Sequence, residues 1–181
     1  MKSIKIGLIV LGCLSLASQS FAQKDTAFTR YKNLPLNASR MFDLNTTEGT
    51  WTSVDISPDG KTIIFDMMGD LYTMPAEGGK ATQITRGLAF DQHPRYSPDG
   101  KKILFVSDKS GAENLWYIDT EKKDTVQLTR DVNQNFPSAD WTPDGNYIVY
   151  SKGRRVNKLY MIHKDGGSGT QLIDEPAQLK T

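Results

Sequence analysis

Cysteine and histidine are nearly missing from this chain. Cys13 is the only cysteine among 181 residues, and His93 and His163 are the only histidines. One cysteine forms no internal disulfide and no thiolate metal site, and the two histidines stand in no His-x-His or His-Glu-x-x-His arrangement. Charge of one sign is missing too. The formal net charge is +1 and no basic run exceeds a pair such as Arg154-Arg155, so nothing supports a nucleic-acid partner. The one apolar run of note, Ile6 to Ala17, is too short to span a bilayer.

That run belongs to residues 1–22, which read as a secretory signal peptide. Lys2 and Lys5 supply the positive start, and Ser20-Phe21-Ala22 offers small residues at the two positions a signal peptidase reads. Val10-Leu11-Gly12-Cys13 is a poor lipid-attachment box, and the apolar run continues past it. Cleavage would remove Cys13 and two lysines, turning 22 basic and 21 acidic residues into 20 and 21. The expectation is an exported protein, periplasmic or at the cell surface or secreted, with no transmembrane segment after cleavage. Residues 23–40 are a polar leader or linker. Met41-Phe42-Asp43-Leu44 reads as a strand opening the remaining segment, 41–181.

What the sequence does have is a repeat. Ser57-Pro58-Asp59-Gly60 returns as Ser97-Pro98-Asp99-Gly100 and as Thr142-Pro143-Asp144-Gly145, at intervals of 40 and 45 residues. Each turn is followed by an apolar triplet: Ile63-Ile64-Phe65, Ile103-Leu104-Phe105, Ile148-Val149-Tyr150. A second strand column reads Leu71-Tyr72, Leu115-Trp116 and Leu159-Tyr160, and a third begins at Gln83, Gln127 and Gln171. Pro presets φ for a type I turn, Gly accepts positive φ, and the Ser or Thr hydroxyl bonds the turn backbone. Glu77-Gly78-Gly79 and Asp165-Gly166-Gly167 make later turns, replaced in the middle copy by the polar loop Asp119 to Asp124.

A period near forty residues with four strands per unit predicts an all-β chain, a partial β-propeller of three blades at about 49–87, 88–131 and 132–174. A closed ring needs roughly four to eight blades. Apolar residues at consecutive triplet positions predict strands buried on both faces, as where one blade packs between two others.

A search for chemistry yields structural readings. Asp59, Asp99 and Asp144 recur at turn positions, which argues for geometry over catalysis. Gly166-Gly167-Ser168-Gly169 lacks the last glycine of a nucleophile elbow, because Thr170 stands there, and a strand rather than a helix follows it. Asp66 and Asp70, flanking Gly69, read as a solvated hairpin tip rather than a cation site. His93 reads as a hydrogen-bonded loop histidine between units, and His163 as the end of an outer strand. Tyr72, Trp116 and Tyr160 read as packing residues. No catalytic, cofactor-binding or metal-binding residue is expected within this segment.

The repeat over about residues 49–174 resembles the WD40-like propeller repeat of the TolB and tricorn-protease type. Glu48-Gly49-Thr50-Trp51, Val54 to Gly60, Phe65 to Tyr72 and Pro75 to Gly79 also resemble the start of exported amidohydrolases, which carry a TolB-like propeller before a metal-dependent barrel. Ala89-Phe90-Asp91, Pro94 to Gly100 and Ser107-Asp108 continue that likeness. The resemblance implies a non-catalytic scaffold or interaction segment at the front of a larger hydrolase, with further blades and a C-terminal catalytic domain as partners. A divalent metal would belong to that downstream domain. The alternative is a stand-alone TolB-like propeller that binds an envelope protein or peptide.

Overall fold

The computed structural model describes residues 45–50 and 52–173. The signal peptide, leader and Met41–Leu44 strand expected from the sequence, and the segment after Ile173, lie outside the described residues. Twelve strands form three four-stranded antiparallel sheets, and no helix occurs among the described residues. Blade 1 holds β1 (Val54–Ile56), β2 (Thr62–Met67), β3 (Asp70–Pro75) and β4 (Thr82–Gln83). Blade 2 holds β5 (Asp91–Tyr96), β6 (Lys102–Ser107), β7 (Asn114–Asp119) and β8 (Thr125–Gln127). Blade 3 holds β9 (Asn135–Trp141), β10 (Tyr147–Gly153), β11 (Lys158–His163) and β12 (Thr170–Gln171). Within each blade sequential strands are neighbours, so each is a simple meander. This is a partial TolB-like β-propeller.

The meander sorts the loops onto two rims. The Ser/Thr-Pro-Asp-Gly turns and the β3–β4, β7–β8 and β11–β12 connections share one, here the turn rim. The β2–β3, β6–β7 and β10–β11 loops share the other with the blade-to-blade connections, here the crossover rim.

Register explains the apolar triplets. Ile103 and Phe105 turn toward blade 1 and pack with Ile64, Leu71 and Ile118. Leu104 and Val106 turn the other way and pack with Leu115, Leu128, Phe136, Trp141, Ile148, Tyr150 and Ile162. The middle triplet is therefore buried on both faces. The flanking triplets are not: Ile63, Phe65 and Val149 are only half-buried, because among the described residues no third sheet lies against them. Val54 and Ile56, paired with Phe65 and Ile63 on that same outer face of blade 1, are 59% and 51% exposed.

Candidate functional site

The twelve turn residues form three copies of one hydrogen-bond pattern. The Ser57 hydroxyl donates to Asp59 Oδ1 at 2.6 Å and accepts from the Thr62 amide at 2.9 Å. Asp59 Oδ1 also accepts from the Lys61 amide, and the Gly60 amide closes the turn on the Ser57 carbonyl. Ser97, Asp99, Lys101, Lys102 and Gly100 repeat this, as do Thr142, Asp144, Asn146, Tyr147 and Gly145. The hydroxyl donors hold all three carboxyls below the usual carboxylate range, Asp144 at about 2. Each hydroxyl gives its proton to a carboxylate.

The prolines have a second role between blades. Gly100 (φ 70°) lies over Pro58, where a Cβ would sit 3.5 Å from the proline Cδ. Gly145 (φ 67°) lies over Pro98 in the same way. The turns thus stack side by side along the turn rim, each glycine on the preceding proline.

Asp66 departs from its expected place at a solvated hairpin tip. It is 7% exposed, and its two carboxylate oxygens accept the Ser53 and His93 amides, each at 2.8 Å. It therefore clamps the innermost strand of blade 2 to blade 1. Asp55 adds a bond from the Tyr96 amide at 2.8 Å, and the Asp91 amide donates to the Gly69 carbonyl at 2.8 Å. Asp70 accepts from the Gln83 side chain at 2.8 Å, and burial raises its carboxyl above the usual range. His93 is not a loop residue. It occupies a bulge in β5 with φ 55°, its amide held by Asp66, and its buried Nδ1 has no hydrogen-bond partner among the described residues. A local sequence reading misses both features because Asp66 meets its partners through backbone amides, one of them 27 residues away.

The remaining residues stand as follows. His163 ends β11, edge-on to Tyr147 and 3.4 Å from Asp165. Gly166 to Gly169 form the β11–β12 turn. Tyr72 stacks on Phe65 and Tyr160 on Tyr150, while Trp116 packs against the blade 1–blade 2 cluster. Among the described residues no group of three or more His, Cys, Asp or Glu is placed to hold a metal ion.

Among the described residues a wedge of about 800 Å³ lies between blades 1 and 2, opening toward the turn rim. Ser57, Asp59, Thr73, Thr82 and Asp99 line it, over a floor that includes Ile103 and Ile118. Its origin is visible in the strand columns. Thr73 and Thr82, paired across β3 and β4, occupy the places that Tyr117 and Val126 fill in blade 2. Thr82 has the size of Val126, but Thr73 is far smaller than the Tyr117 ring, so the gap between these blades stays open.

Residues 51–180 match the tricorn protease N-terminal beta propeller domain family. The chain belongs to that family. The tricorn-type propeller here is also similar to the Tol-Pal system protein TolB of Wolinella succinogenes, 30% identical over 145 residues, covering 77% of this chain and 32% of that protein. Among solved structures, TolB from Acinetobacter baumannii matches with TM-score 0.60 and 22% identity, over 75% of this chain and 35% of that one. A puromycin hydrolase mutant (S511A) complexed with PGG matches with TM-score 0.57 and 18% identity, over 74% of this chain and 23% of that one. The structural likenesses show the fold. This tricorn-type propeller spans 44%, 32% and 11% of the length of three curated relatives that it matches.

Proposed function

We propose that the chain is the non-catalytic propeller of a larger exported hydrolase, acting as a scaffold or access filter for a catalytic domain elsewhere in the same protein. The observation that supports further blades is the pair of uncovered apolar faces, Ile63 and Phe65 on blade 1 and Val149 and Met161 on blade 3. Their counterparts in blade 2, Ile103, Phe105, Leu104 and Tyr117, pack against neighbouring blades. The matched hydrolases are longer proteins, which supports the same reading. The finer identification, an amidohydrolase-type barrel with its own divalent metal, rests solely on the resemblance that runs from Glu48 to Asp108.

A second reading has support of its own. The similarity to TolB favours a stand-alone propeller that binds an envelope protein or peptide, and the open wedge between blades 1 and 2 would then be a contact candidate. An immunoblot of source cells with an antibody to this segment, followed by sequencing of the protein detected, separates the two. A polypeptide several times heavier than 20.2 kDa that carries a catalytic domain supports the hydrolase. A propeller ending without one supports the TolB-like reading.

A further inference from the structure

The two rims differ in kind. Five of the exposed large apolar side chains sit in crossover-rim loops: Met68 (68% exposed), Leu88 (69%), Phe90 (54%), Val132 (88%) and Val156 (52%). No large apolar side chain is exposed in the described turn-rim loops. Isolated exposed hydrophobics are ordinary, but a set confined to one rim marks an interaction surface.

Charge follows the same division. Among the described residues, the exposed ionic side chains of the crossover-rim loops and of the segment entering β1 from that rim are Arg86, Lys109, Arg130, Arg154 and Arg155, against the carboxylates Glu48 and Asp108. Three acids of these loops are engaged within the protein: Asp108 accepts the Phe90 amide, Glu113 accepts the Phe136 amide, and Asp131 pairs with Lys152 at 3.1 Å. The four arginines make no ion pair or side-chain hydrogen bond among the described residues. The turn-rim loops instead expose seven carboxylates, including Asp59, Asp99 and Asp144, against five lysines.

Three crossover-rim loops also repeat one short pattern, arginine followed two residues later by an exposed apolar side chain: Arg86-Gly87-Leu88, Arg130-Asp131-Val132 and Arg154-Arg155-Val156. The backbone fixes these tips. Gly69 (φ 84°) lies so close to the Phe90 ring that a Cβ there would approach it to 3.0 Å, which joins Met68 and Phe90 in one patch. Gly153 passes the Val156 carbonyl so tightly that any Cβ would overlap it, which holds the Arg154–Val156 tip.

We propose that the crossover rim docks on an anionic phospholipid surface, the arginines meeting lipid phosphates while the adjacent apolar tips enter the acyl boundary. Charge complementarity and the two-residue interleaving carry this choice of partner. A bilayer surface presents phosphates directly above hydrocarbon, which matches arginines set two residues from exposed apolar tips. The contact is peripheral: among the described residues no helix is long and apolar enough to cross a membrane.

The test is co-sedimentation of the full-length protein with vesicles of mixed phosphatidylglycerol and phosphatidylcholine, against vesicles of phosphatidylcholine alone. The expected result is binding to the anionic vesicles only, weakened by added salt. Arg154→Glu with Arg155→Glu should lower affinity at least tenfold, since each juxtamembrane arginine contributes roughly a factor of five. Leu88→Ser with Phe90→Ser should reduce binding at constant charge. Arg86→Gln with Arg130→Gln, two exposed substitutions, provides a variant that leaves the packed faces alone. Absence of binding, equal binding to both vesicle types, or binding untouched by all three variants overturns the proposal. So does a thiol at Phe90→Cys that is shielded from labelling in the folded, lipid-free protein, because the rim is then covered by protein.

Discussion

The boundary between blades 1 and 2 and the boundary between blades 2 and 3 are built from the same repeat, yet they hold together differently. Nine buried side chains, among them Phe136, Trp141 and Tyr150, fill the second boundary, and Tyr117 and Tyr160 pack against them. Only five fill the first, where Thr73 leaves a wedge of about 800 Å³. The first boundary compensates with polar clamps. Asp66 lies in the column that holds Val106 in blade 2, and there it bonds two backbone amides where its counterpart packs against apolar neighbours. A repeat therefore specifies the blade, while single substitutions in its columns decide whether neighbouring blades are joined by burial or by hydrogen bonds.

The largest expected effect lies at the second boundary. Phe136→Ala should lower the unfolding free energy by about 3–5 kcal/mol in a urea titration, because a ring 1% exposed leaves a cavity among packed neighbours. A loss below about 1 kcal/mol would erase the contrast between the boundaries. At the first boundary, Asp66→Ala should cost about 2–3 kcal/mol by stranding the Ser53 and His93 amides, with Asp66→Asn in between. Equal stability of Asp66→Ala and the parent would show that water replaces the clamp.

Smaller effects sharpen the comparison. Gly100→Val should cost on the order of 1 kcal/mol or more, because it forces a branched side chain to φ 70° over Pro58. An unchanged urea midpoint would contradict the stacked-turn description. Thr73→Tyr with Thr82→Val copies the blade 2 residues into the wedge and should raise stability by about 1 kcal/mol. A loss of stability would mean that the wedge cannot accept the ring.

The smallest effect is acid sensitivity of the turns. Asp59, Asp99 and Asp144 have folded-state values below the unfolded value of 3.8. Their contribution is therefore complete above pH 3.8 and falls away as pH drops toward about 2, where Asp144 protonates. Urea midpoints measured across that window should decline less for Asp144→Asn than for the parent.

Much of the fold was legible because its turns demand particular chemistry. Pro at the second position and Gly at the fourth, three times over, leave few conformations open, and the apolar triplets then set strand positions and register. The absence of glycine from the Asp119–Asp124 loop was legible too, but not its solution. Lys123 takes φ 63°, and the Asp119 carboxylate accepts the Glu121 and Lys122 amides. The Asp66 clamp and the β5 bulge at His93 were hidden, because both depend on backbone groups that come together only when blades pack. The wedge had a signal in the aligned columns, Thr73 against Tyr117. A threonine in a strand is unremarkable until the neighbouring blade is in place.

The central claim is that the outer faces of blades 1 and 3 are blade-packing faces. Thiol labelling of Phe65→Cys and Met161→Cys in the native full-length protein, each against the parent, tests it most directly. The account predicts that both thiols resist labelling until the protein unfolds, because further blades cover them. Labelling of either at the rate of an exposed cysteine in the folded protein would contradict it.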